Sequence, residues 1–130
     1  MTTAKDISVY LAGLGIVASY NDVDNSTTDT ISIMDTGGYA PVRCHGAQAN
    51  QHPYDRPSFQ VIVRCASKET ASTRIDEINN ALDGIMNQTL NGNYYLKIEQ
   101  NTSVSYLGRG ETEEGETNEY SVNYTSVKQR

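Results

Sequence analysis

Tryptophan is absent from the sequence, and phenylalanine occurs once. A core built on large, purely apolar rings is therefore excluded. The aromatic content is nine tyrosines, whose apolar body and polar tip suit half-covered sheets and contact surfaces. Cysteine is scarce too: Cys44 and Cys65 are the only two, too few for a disulfide-stapled secreted scaffold. No apolar run approaches the roughly 20 residues of a membrane-spanning helix. The opening MTTAKDIS lacks the basic-then-apolar pattern of a secretory signal. The expectation is a product that stays in a reducing cytosol, with both thiols free and packed as small apolar groups. The four Asn-x-Ser/Thr triplets, at Asn25, Asn87, Asn101 and Asn123, then read as chance in an Asn/Thr-rich chain. Positive charge is also in deficit. Ten Lys and Arg face sixteen Asp and Glu, a net charge of -6, with a pI near 4.7. That argues against a binder that neutralises nucleic-acid phosphates, because counterion release needs clustered Lys and Arg. It is compatible with a protein past which DNA slides without sticking.

Catalytic and metal-binding signatures are missing as well. Cys44, His45, His52 and Cys65 offer four possible ligands, but Cys44 and His45 are adjacent and no CxxC or HxxxH spacing accompanies them, so no zinc site is expected. The run DVDNSTTD begins like a calcium loop at Asp22, Asp24 and Ser26. It fails at Thr27, where an EF-hand needs glycine, and at Ile33, where it needs the bidentate glutamate. There is no GxSxG nucleophile elbow. The glycines of LGRGETEEG lack the GK[ST] of a phosphate cradle. The reading is a protein that is not an enzyme and carries no cofactor.

What is present is the material for one domain, residues 1–130, at a mean hydropathy of -0.55, long enough for a single modest core. Thr3 with Asp6 predicts a capped helix start, and Ile7, Tyr10, Leu11 and Leu14 predict one apolar face, closed by Gly13 and Gly15. YNDVDNSTTDT reads as a polar loop and ISIM as a short strand. DTGGYAP reads as a turn, followed by a long irregular excursion to residue 56. In YDRPSFQVIVRC, Phe59, Val61, Val63 and Cys65 alternate with Ser58, Gln60, Ile62 and Arg64, a strand expected to start at Pro57. Ser67 predicts the cap of a second helix, whose apolar face is Ala71, Ile75, Ile78, Leu82 and Ile85. Asn91-Gly92 predicts a turn into a strand with Tyr94, Leu96 and Ile98 on one side, and SVSYL predicts another strand. GRGETEEGETNE reads as an acidic loop. The closing strand EYSVNYTSV places Tyr120, Val122 and Tyr124 on one face, with Val127 out of phase, as at a bulge or strand end. The order α-β-β-α-β-β-β predicts an α+β fold: a mostly antiparallel sheet of about four to five strands, two helices packed on it, and long irregular loops.

In this order, ISIMDTGGYAP, RPSFQVIVR, a helix shortly after, and EYSVNYTSVKQR, preceded by the helix DISVYLAGLG, the chain resembles the tail terminator, minor capsid or tail-completion proteins of long-tailed bacteriophages. The resemblance spans nearly the whole chain and rests on order and spacing. It implies a virion structural protein assembled in the host bacterial cytoplasm, about six copies of which close into a ring. The ring sits on the end of the tail tube, stops tube growth and joins the tail to the neck. The implied partners are other copies of the chain in a hexamer, the tail tube protein, a neck or connector protein and the tape-measure protein. DNA only passes through, and no membrane is involved. Candidate subunit or partner contacts are Arg56, Arg64, Tyr39 and Tyr54. Arg64 has two readings, a pair with a sheet neighbour or a pair with the next subunit, and Arg56 shares that ambiguity. Candidate lumen-facing acids are Glu111, Glu113, Glu114 and Glu116, with the stretch Asp22 to Asp29 as a further source. The rival readings are another neck or head-completion protein, a tube subunit, or a host-directed binding module that uses its Tyr-rich sheet.

Overall fold

The computed structural model describes residues 3–22, 29–42, 54–112 and 115–129, with the backbone alone at 39–42 and 112. Nine elements follow in order: α1 (Thr3–Gly13), β1 (Ser19–Tyr20), β2 (Thr30–Val42), β3 (Tyr54–Cys65), α2 (Lys68–Leu82), β4 (Ile85–Leu90), β5 (Asn93–Gln100), β6 (Ser105–Thr112) and β7 (Gly115–Gln129). The α+β architecture is as expected, but the strands number seven in one sheet. Their order is β1-β2-β3-β7-β5-β4, with β6 also on β7. All pairs are antiparallel except β1 on β2. The long β7 organises the sheet. One of its edges pairs with β3, while the other is shared, β6 taking residues 115–121 and β5 taking 124–128.

Both helices lie on one face of this sheet. Phe59, Val61, Val63 and Cys65 are fully buried, as their alternation predicts, and meet Val122 and Tyr124 of β7 in register. Ala71, Ile75, Ile78 and Leu82 of α2 seal them, each large aliphatic side chain contributing about 1.5–3 kcal/mol on burial. Ser67 caps α2 through its Oγ, which accepts from the Thr70 N–H at 3.4 Å. Phe59 stacks on Tyr124 at 5.1 Å between centroids.

Several local expectations are overturned. Gly37-Gly38 does not turn the chain. β2 runs through it to Val42, and register shifts on either side of Tyr39 absorb the irregularity. Pro57 accordingly lies inside β3, which begins at Tyr54, and not at its start. Neither β2 nor β7 pairs with Pro57 itself, so its missing N–H breaks no ladder bond. The part of the supposed excursion between the two strands, 43–53, lies outside the described residues. Ile85 leaves α2 and opens β4, because the helix ends at Leu82 and Gly84 turns the chain at φ 87°. Asn91-Gly92 makes the expected turn, both residues at positive φ, between β4 and β5. In β5 the buried residues are Tyr95 and Ile98, not Tyr94, Leu96 and Ile98. A register shift between Tyr95 and Lys97 inserts one residue and flips the face. The out-of-phase Val127 sits directly opposite that shift. The acidic loop is instead a β-hairpin of β6 and β7, described except at its tip, 113–114. Leu14 is 53% exposed, past the end of α1.

Candidate assembly surfaces

Asp6 does not complete a capping box. The N–H of Ala4 donates to Asp35 Oδ1 at 2.9 Å, so β2 caps α1 from across the fold. Asn21 holds that carboxylate: its Nδ2 donates to Asp35 Oδ2 at 2.8 Å, and the Asp35 N–H donates to Asn21 Oδ1 at 2.9 Å. Asp6 points inward and is fully buried. It accepts from the Tyr95 hydroxyl at 2.6 Å, from Asn91 Nδ2 at 3.1 Å, and from Asn93 Nδ2 at 3.1 and 3.2 Å. Lys128 Nζ stands 3.7 Å away. This cluster ties α1 to the β4–β5 turn and to the end of β7. A buried carboxylate is tolerable only when it is paired and hydrogen-bonded. The sequence did carry a trace of it. Asp6 lies three residues from Thr3 and four from Tyr10, at the margin of the apolar stripe of α1.

The candidate contacts fall into two groups. Arg64 lies opposite Glu119 on β7, and its Nε is 2.9 Å from Glu119 Oε1, both side chains being largely covered. Gly110 on β6 leaves room for that carboxylate: a Cβ there would lie 2.5 Å from Glu119 Oε1. Arg56, Tyr54 and Tyr39 gather at the other end of β3, where Tyr39 is the partner of Arg56 and Tyr54 that of Val42. The side chains of Arg56 and Tyr54 are half-buried, and that of Tyr39 lies outside the described residues. A groove of about 170 Å³ next to Arg56 is bordered by Lys97, Glu99 and Thr125.

Glu111 and Glu116 lie directly opposite one another on the β6–β7 hairpin, two like charges that raise its negative potential. Arg109 Nη1 is 3.8 Å from Glu116 Oε2, an exposed pair. Glu113 and Glu114 lie outside the described residues, as do 23–28, Cys44, His45 and His52. Asp22 is exposed. Among the described residues, no three His, Cys, Asp or Glu side chains converge as metal ligands. Cys65 is a buried free thiol. Burial pushes its pKa up, partly offset by the nearby Arg74 guanidinium, which donates to Sγ at 3.3 Å.

What the described residues bring together is surface: one sheet face free of helices, unequal sheet edges and a protruding acidic hairpin. These are the parts of a small structural protein that acts through contacts. The model of the bacteriophage tail terminator protein family matches residues 8–130. The chain therefore belongs to that family of structural phage proteins, and membership implies a component of the virion tail. No curated protein matches the chain in sequence.

Proposed function

We propose that copies of this chain close into a ring, about six in number, on the end of the phage tail tube. The ring stops further tube growth and presents its far surface to the neck or connector. Its partners are neighbouring copies, the tube protein, the connector and the tape-measure protein, and assembly takes place in the host cytoplasm. The observation that carries the reading is the family match over nearly the whole chain, 8–130. A net charge of -6 and the acid-rich hairpin support a DNA passage that repels its cargo, because like charge keeps a polyanion from adhering. In this reading Glu111 and Glu116, with Glu113 and Glu114, face the lumen.

The test is a stop codon in the gene within its parent phage, followed by electron microscopy of the lysate. Tails of uncontrolled length without attached heads are the expected result. Normal-length tails beside unjoined heads would instead mark a neck or head-completion part. Intact infectious particles would send the search to a host-directed binding role.

A further inference from the structure

The buried Asp6 carboxylate holds an amine and an amide against itself, and the assembly reading gives neither of them a task. Lys5, Lys68 and Lys97 are exposed. Lys128 is drawn inward, its side chain 14% exposed and its Nζ 3.7 Å from Asp6 Oδ2. Asn93 Nδ2 donates to both oxygens of the same carboxylate, at 3.1 Å to Oδ1 and 3.2 Å to Oδ2. One atom, Oδ2, therefore contacts both the amine and the amide nitrogen. The strands set this up. Lys128 of β7 is the register partner of Tyr95 in β5, so Asn93, two residues earlier, is its diagonal neighbour. Such neighbours stand about 7–8 Å apart at the backbone, within reach of a long side chain. Asp55 of β3 is the partner of Lys128 on the other side. The Tyr95 ring lies 5.9 Å from Nζ, and its hydroxyl donates to Asp6 Oδ2 at 2.6 Å. With Asp6 and Tyr95 both fully buried, the cluster is largely closed to water.

We propose that Lys128 and Asn93 are joined by an intramolecular isopeptide bond, with Asp6 as the proton carrier. An ammonium is no nucleophile, so Nζ first gives a proton to Asp6 Oδ2. Burial favours the resulting neutral amine and neutral acid over two separated charges. Nζ then attacks Asn93 Cγ. The Nζ–Cγ bond forms and the Cγ–Nδ2 bond breaks. Oδ2 gives its proton to the departing Nδ2 and takes the second proton of Nζ as the new amide forms. Ammonia leaves and carries that proton to solvent as ammonium, which restores the carboxylate. No oxidant, metal or energy source is consumed. Asn91 is the poorer acyl partner, because its Nδ2 reaches only Oδ1. The bond would tie the start of β5 to the end of β7, so that the closing strand of the sheet could not peel away. This holds whether or not the copies form a ring.

The test is the intact mass of the purified full chain, measured after denaturation. The parent should be lighter than its sequence by one ammonia, about 17 Da. Its digest should contain a branched peptide that joins the segments around 93 and 128. Lys128→Arg keeps the positive charge but has no amine for this bond, and Asp6→Asn keeps the shape but removes the proton carrier. Both variants should show the full sequence mass. Circular dichroism checks their folding, and Lys128→Arg decides the matter if the buried Asp6→Asn does not fold. A parent at full sequence mass, both freshly purified and after prolonged incubation of the folded protein, overturns the proposal. A loss of about 18 Da, one water, would make Asp6 itself the acyl partner and remove Asn93 from the bond. An ammonia loss that persists in Lys128→Arg would mark ring closure of Asn91 onto the Gly92 nitrogen and likewise overturn it.

Discussion

Tyr95 and Tyr124 show why tyrosine takes the place of larger apolar rings in this core. Both are fully buried, yet each hydroxyl has an acceptor, Asp6 Oδ2 at 2.6 Å and Asn79 Oδ1 at 2.7 Å. The rings supply apolar area while the phenol ends fasten the helices to the sheet. Burial pushes both phenol pKa values well above the usual tyrosine range. The neighbouring Asp6 carboxylate adds to the effect at Tyr95, and Asp83 adds to it at Tyr124. In the unfolded chain these groups ionise near pH 10, the usual tyrosine value. The stability they contribute is therefore fully present below about pH 10 and is lost as pH rises, since the unfolded chain then releases protons that the folded chain retains. Cys65, raised by burial from 9.0, acts with the same sign and begins earlier. The urea midpoint should fall steadily from about pH 9 upward. Ultraviolet titration should show two phenols ionising only as the protein unfolds. A midpoint unchanged at strongly alkaline pH would contradict this account.

At the scale of elements, the β2–β3 pair depends on one close approach. Gly38 has φ 83°, and a Cβ there would lie 2.7 Å from the Arg56 carbonyl oxygen and 3.1 Å from Pro57 Cα. Both neighbours are backbone, so neither can move aside cheaply. Gly38→Ala should cost about 2 kcal/mol or more in urea unfolding, combining a left-handed backbone strain of about 1–2 kcal/mol with the steric overlap. Gly37→Ala next to it meets nothing within 4 Å and should change stability by only about 0.5 kcal/mol. Equal effects at the two positions would show that the close approach is not what holds the bulge. The elements most legible in the sequence were those with long, uninterrupted periods: α2 with its Ser67 cap, β3 and the centre of β7. The illegible ones had their period broken or their residues shared. β4 hides because only its ends, Ile85 and Leu90, are buried. β5 hides its face behind the extra residue between Tyr95 and Lys97. In the acidic hairpin, Glu and Gly mask strands that exist because β7 continues past the core and offers them an edge.

At the scale of the molecule, the helices cover one sheet face, and the acidic hairpin extends from the end of β7 that carries Glu119, the partner of Arg64 on β3. At the other end Arg56, Lys97 and Lys128 stand among Asp55, Glu99 and the buried Asp6. The like charges of the hairpin give the passage proposal its test. With Glu111→Lys and Glu116→Lys together, phage should still build tails of normal length. DNA delivery should slow and become more salt-sensitive, because cation–phosphate contacts weaken as ionic strength rises. Unchanged delivery kinetics, or a ring structure with the hairpin on its outer rim, would remove these glutamates from the lumen. The candidate contacts were only half legible at this scale. The sequence singled out Arg64 but left its partner open, and the partner seen is Glu119 of the adjacent strand.

The amino-acid order alone determined the class of fold, the core faces of α2 and β3, the turn at Asn91-Gly92 and the likeness to tail terminators, because each depends on local period, local backbone preference or linear order. Tertiary structure decided the rest. It placed Asp6 inside a cluster whose partners lie more than eighty residues away, at Asn91, Asn93, Tyr95 and Lys128. It capped α1 with Asp35 instead of a neighbour in sequence. It also set the exposed Val17, next to β1, and the exposed Met86 of β4 toward opposite ends of one sheet. Hydrogen bonds and edges of that kind join residues that no local pattern relates, and they exist only once strand order and register are set.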